Sequence, residues 1–198
     1  MLGMAFFKSL VKEHGKAFFE PIGKALQREQ IRALNPMNPR HLWALRRELT
    51  AYSKWSLGQR FVGRDRQQVP GMDPRLADHL AFALDCFQRY PREVSSAMTR
   101  HQLKLADRQC RMAELSQRVQ DTVIVLVTAL WGNQQQDEAA KSAADILCQD
   151  LRRKHTGARP SDGYFRDVSK LADIIIGGGF EALAGVPREE ILMKYESK

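Results

Sequence analysis

Residues 120–136, QDTVIVLVTALWGNQQQ, form the most apolar stretch of the chain, and their reading decides the fold. The core of this stretch admits three readings: a β-strand, part of a membrane span, or one section of a long helix. Only residues 122–131 separate Asp121 from Gly132, whereas a helix that crosses a bilayer needs roughly 18 apolar residues or more. A spanning helix is thereby excluded. Met98, Leu105, Met112, Val119 and Leu126 recur every seven residues, with His101, Val123 and Leu130 between them, which is the spacing of a helical seam facing other helices. This spacing predicts one helix of about 40 residues, stopped at Trp131-Gly132-Asn133. Its β-branched end is expected to be buried on most faces, where packing overrides their small propensity penalty.

Outward from this segment, proline and glycine divide the chain into stretches that nearly all carry the 3.6-residue apolar period, and no alternating strand pattern occurs. Phe7, Leu10, Val11, His14 and Phe18 line a first helix that must end or kink near Glu20, because Pro21 follows. Asn38 and Asp73 are expected to cap helices opened by Pro39 and Pro74, and Asp137 to cap a helix whose Ala140, Ala143, Ala144, Leu147 and Leu151 are expected to point inward. Pro91 marks a kink or a new first turn. Phe165, Val168, Ala172 and Ile175 form the stripe of a last core helix ending at Gly177-Gly178-Gly179, and Pro187 opens a short C-terminal helix. The stretch from Gly58 to Pro74 has little periodicity and reads as a linker. The expected architecture is all-α: a bundle of about four core helices over residues 71–198, preceded by an amphipathic helical arm and linker over residues 1–70.

The 198 residues carry 31 Lys and Arg against 23 Asp and Glu, a formal net charge of +8. Such a surface attracts anions, among them nucleic acid, acidic lipid headgroups and CoA phosphates. The basic residues occur as short scattered runs, Arg46-Arg47, Arg64 with Arg66, and Arg152-Arg153-Lys154, which solvated helix faces also explain. The helix-forming stretch PRHLWALRRELTAYSKW sets Arg40, Arg46, Arg47 and Lys54 beside Trp43, Tyr52 and Trp55 and comes nearest to a nucleic-acid surface. The leucine stripe of that helix needs a protein partner in any case. Three widely spaced cysteines, Cys86, Cys110 and Cys148, each within an apolar helical pattern, read as reduced, buried thiols of a cytoplasmic protein. The N-terminal stretch lacks a long apolar region, and Glu13 and Glu20 argue against an acid-poor transit peptide.

Catalytic and metal-binding patterns are sparse. No Glu-x-x-His pairs, His-Glu-x-x-His or CxxC spacings occur, so no metal site is expected. Cys86 lies seven residues from His79, within helical reach of a thiol–imidazole dyad, although packing alone accounts for both. The run IIIGGGFEALAG follows a helix and has no phosphate-loop spacing. The arm is more informative: Phe6, Phe7, Leu10 and Phe18 alternate with Lys8, Lys12 and Lys16. These residues are the candidate contact surface for an anionic membrane or a partner, and a helix that covers the bundle is the other reading of them.

Residues 72–180, beginning MDPRLADHLAFALDCFQRYPREVSSAMTRHQLKLADRQC, resemble the extra C-terminal helical domain of very-long-chain-type acyl-CoA dehydrogenases in helix order and composition. The arm FFKSLVKEHGKAFFEPIGKALQRE is similar to the basic amphipathic stretch that precedes this domain in that family. The resemblance implies an accessory domain of a fatty-acid β-oxidation flavoenzyme, peripheral to the membrane and serving dimerisation or docking. It would not be catalytic alone. The catalytic glutamate and the FAD site of that family lie in an upstream core that this chain is too short to contain, so no catalytic, cofactor-binding or metal residue is carried over. The implied partners are that dehydrogenase core, a second copy of the chain, or an anionic membrane surface. The alternative reading is a helical nucleic-acid-binding or other interaction module.

Overall fold

The computed structural model describes residues 9, 11–32, 35, 37–61, 69–101, 109–180 and 185. The fold is all-α, as the periodicity predicts. A π-helical turn, Gly15–Phe19, runs into α1 (Glu20–Arg28), followed by α2 (Pro39–Ala44), α3 (Arg46–Phe61), α4 (Pro74–His101), α5 (Gln109–Gln134), α6 (Glu138–Thr156) and α7 (Asp162–Ile176). Helix α5 packs against both α4 and α6, and α7 lies on α6. Ala83 of α4, Val125 and Ala129 of α5 and Cys148 of α6 form one buried cluster, and Cys86, Tyr90 and Val119 form another. Helix α7, expected in the core, buries no residue completely and leaves Phe165 exposed. The C-terminal helix expected from Pro187 lies outside the described residues, as does much of the expected linker.

Helix starts follow the capping residues. The side-chain oxygens of Asn38, Asp73 and Asp137 accept from the amides of Arg40, Arg75 and Ala139 at 3.0, 2.9 and 2.9 Å, and Ser161 caps α7 in the same way. Each such cap contributes about 1 kcal/mol by satisfying an amide that has no partner within its helix. Helix α6 ends at Gly157, whose φ of 72° is the left-handed conformation that glycine adopts without penalty.

The expected long helix is instead a helical hairpin. Val94 of α4 shares a buried cluster with Met112 and Leu115 of α5. In a continuous helix Val94 and Met112 would stand about 27 Å apart. Helices α4 and α5 therefore lie side by side as separate helices, and Leu105, together with the rest of 102–108, lies outside the described residues. Tyr90 joins the two arms of the hairpin: its hydroxyl donates to the Arg118 carbonyl at 2.9 Å. Pro91 sits inside α4 without ending it.

The arm packs on this hairpin. Pro21 does not end its helix, because the turn before it widens: the Glu20 amide reaches the Gly15 carbonyl, five residues back. His14, Phe18, Tyr52 and Trp55 stack with ring centroids 4.8–6.0 Å apart. The Tyr52 and Ser95 hydroxyls meet at 2.8 Å, which ties α3 to α4.

Candidate functional site

Helix α5 has two faces that differ sharply. Val119, Thr122, Val125 and Ala129 are buried against α4 and α6. Val123, Ile124, Val127, Leu130 and Trp131 are 38–57% exposed, so the apolar stretch is not buried on most faces as its composition suggested. These five positions recur at helical spacing and form one stripe about 12 Å long. From Thr122 to Gln136 no residue carries a charge. Gly132, read as a stop signal, lies inside α5 and is buried. A Cβ there would sit 2.6 Å from the Ala144 Cβ and 3.3 Å from Leu76 Cδ1, so glycine is required by the close approach of α6. The stripe was missed because a seam facing two neighbours needs only three or four apolar positions in seven. The ten uncharged residues of 122–131 exceed that need, and this excess was the available signal.

The ionisable groups buried between the helices serve structure. His79 and Asp145 are 3% and 2% exposed. An arginine can only donate, so Arg152 Nη1, 2.8 Å from His79 Nδ1, fixes that nitrogen as the acceptor. His79 Nε2 then donates to Asp145 Oδ1 at 2.8 Å. Both ring nitrogens are engaged and neither faces Cys86, so the imagined Cys86–His79 dyad does not form. Cys86 lies instead 3.7 Å from His155 Nε2, with Arg89 Nη2 donating to its sulfur at 3.1 Å. His155 Nε2 also accepts from Arg118 Nη2 at 3.2 Å. Burial, then the Arg118 and Arg89 charges, hold the His155 imidazole below its ordinary 6.5.

Burial likewise pushes the Cys86 thiol up, and lifts Cys148 to about 12. A thiolate nucleophile is disfavoured at both positions. Cys110, expected to be buried, is exposed. A mild alkylating reagent is therefore expected to label one of the three thiols in the folded protein and all three in denaturant. Rapid native labelling of two or three would contradict these environments.

Of the arm residues singled out in the sequence, Phe6, Phe7, Lys8 and Leu10 lie outside the described residues. Phe18 is occupied by stacking on Trp55 and Tyr52. Lys12 and Lys16 are exposed, and Lys16 pairs with Glu13 at 3.6 Å. The aromatic and basic parts of the stretch from Pro39 to Trp55 do not share one helix face, because the helix breaks at Leu45, between α2 and α3. Arg46 lies over the Trp43 ring at 4.5 Å, whereas Tyr52 and Trp55 belong to the arm's aromatic cluster.

Among the described residues, no group of three or more His, Cys, Asp or Glu side chains could hold a metal ion, and no helix is long and apolar enough to cross a membrane. Comparison with known protein families, with curated proteins and with solved structures gives no match.

Proposed function

We propose that this chain is a helical association module that works as a homodimer through the outer face of α5. The observation that carries the reading is the exposed stripe of Val123, Ile124, Val127, Leu130 and Trp131. Depletion of charge and enrichment in aromatic and aliphatic residues mark the centre of homodimer interfaces. A chain of net charge +8 repels a copy of itself over most of its surface, and this stripe escapes that repulsion because it carries no charge. An anionic bilayer suits it less well. No lysine or arginine stands between Arg118 and Lys141, and Asp121, Asp137 and Glu138 flank the stripe. Two copies related by a two-fold axis present the same stripe to one another, an arrangement that closes and goes no further.

The specific form of this function that the sequence resemblance supports is the accessory domain of an acyl-CoA dehydrogenase. The module would then hold two dehydrogenase cores together, with the flavin chemistry performed in those cores. A peripheral membrane contact through Lys12 and Lys16 is compatible with this arrangement, since both side chains are exposed.

Val127→Glu tests the reading. A carboxylate placed in the middle of an apolar interface is expected to weaken self-association by about 3 kcal/mol, on the order of a hundredfold in Kd. Because Val127 is 57% exposed, the thermal stability of the monomer should stay within about 0.5 kcal/mol of wild type. The result expected from light scattering is a monomer for the variant and a dimer for the wild type. Equal masses would contradict the proposal.

A further inference from the structure

Away from the α5 stripe, a groove of about 880 Å³ opens between α3, α4 and α5. Arg89, Arg92 and Arg100 of α4 line it together with Arg111 and Arg118 of α5. On α4 these positions are spaced by three and eight residues, which puts them on one side of the helix over about 16 Å. On α5 the spacing is seven, two turns. The packing of the hairpin turns both rows of guanidinium groups into the same groove. Among the described residues that line it, Glu93 and Glu114 alone oppose them, leaving an excess of three positive charges.

The arginines divide into two kinds. Arg118 is fixed by Glu93 at 3.0 Å and by His155, and Arg89 donates to the Asp85 carbonyl at 3.2 Å and to Cys86. Arg92, Arg100 and Arg111 are exposed and make no ion pair among the described residues. A row of arginines with no ion pair among the described residues, set inside a concavity, supplies many N–H donors in forks that match phosphate oxygens. The volume lies in the upper part of the range of small-molecule sites, roughly 300–1,000 Å³. One monovalent anion would leave most of the groove and most of its charge unmet. Tyr52 and Trp55 line the α3 side and offer aromatic surface beside the charges.

We infer that this groove binds the linear polyphosphate group of a small organic ligand of nucleoside di- or triphosphate size. Arg92, Arg100 and Arg111 contact the phosphates, Arg89 and Arg118 supply a pre-set floor, and the α3 aromatics border the organic part. The inference is independent of self-association, because the groove and the α5 stripe share no residue.

The test is calorimetric titration of the full chain with ATP, with inorganic tripolyphosphate and with a single-stranded oligonucleotide, at about 50 mM salt, where screening is modest. Saturable binding of ATP is expected, weakened about tenfold by Arg92→Ala and again by Arg111→Ala, and unchanged by Arg166→Ala on α7. Circular dichroism melts of the variants should match wild type, since neither side chain has a partner to lose among the described residues. Tripolyphosphate binding as tightly as ATP supports the polyphosphate site and assigns nothing to the aromatic wall. Tighter ATP binding assigns a contact to Tyr52 and Trp55. Binding of the oligonucleotide alone, binding untouched by the two substitutions, or no binding up to about 1 mM ligand would each overturn the inference.

Discussion

Asp145→Ala is expected to lower the stability of the folded chain by about 3 kcal/mol, because breaking one side of a buried hydrogen-bonded pair strands the other side without water. Asp145 Oδ1 accepts from His79 Nε2 at 2.8 Å, Oδ2 accepts from Gln149 Nε2 at 3.0 Å, and Arg75 lies 3.7 Å away. With alanine at 145 the His79 N–H, 3% exposed as a residue, has no acceptor in reach. For a chain of this length the melting temperature should fall by roughly 6–12 °C. Asp145→Asn keeps an acceptor oxygen and should lose less. The double variant Asp145→Leu, His79→Leu removes both polar groups and should be more stable than Asp145→Ala.

The same carboxylate sets an acid limit. Burial pushes its titration up, but the hydrogen bonds from His79 and Gln149 and the charge of Arg75 outweigh this and hold it below the ordinary 3.8. A depressed carboxylate contributes stability above its unfolded value and loses it as pH falls through the folded value. Wild type should therefore lose stability more steeply below about pH 4 than Asp145→Ala. Parallel pH profiles of the two proteins would show that the His79–Asp145 pair does not join α4 to α6.

Gly132→Ala is the second large effect, a destabilisation of about 2 kcal/mol by overpacking. On helix propensity alone alanine would be the better residue by up to about 1 kcal/mol. The added Cβ would meet the Ala144 Cβ at 2.6 Å, and neither atom sits on a flexible chain that can move aside. Only a shift between α5 and α6 relieves the contact, and that shift disturbs the cluster of Val125, Ala129 and Cys148. Ala144→Gly removes the opposing methyl, so Gly132→Ala combined with Ala144→Gly should recover more than additivity allows. Strict additivity in this double-mutant cycle, or a stabilised Gly132→Ala, would place the closest approach of these helices elsewhere.

Local chemistry was legible in the sequence and the pairing of distant segments was not. Asn38, Asp73 and Asp137 cap the helices they were expected to cap, because a capping oxygen acts on amides two residues away. The repeat Met98, Leu105, Met112 misled for a physical reason. Two antiparallel helices that share a core each carry apolar positions at the same spacing, so their run-together pattern imitates one longer helix. Gly132 stands two residues before the end of α5, as a stop signal should, and it has a second role that spacing does not show, since the residue that favours helix ends is also the one that lets helices touch. The His79–Asp145 pair spans 66 residues and has no signature in spacing. The groove has none either: Arg89 to Arg118 read as ordinary basic positions until the hairpin folds them together. What the sequence did contain, and the periodic reading passed over, was the excess of apolar residues at 122–131.

Sedimentation equilibrium of the wild-type chain over a hundredfold concentration range tests the role of that excess most directly. The chain mass is 22.6 kDa. The expected result is a monomer–dimer equilibrium that reaches twice this mass at concentrations on the order of 50 µM, and that reverts to monomer in Val127→Glu. A single species of 22.6 kDa at every concentration would contradict the assignment of the α5 outer face as a homodimer interface.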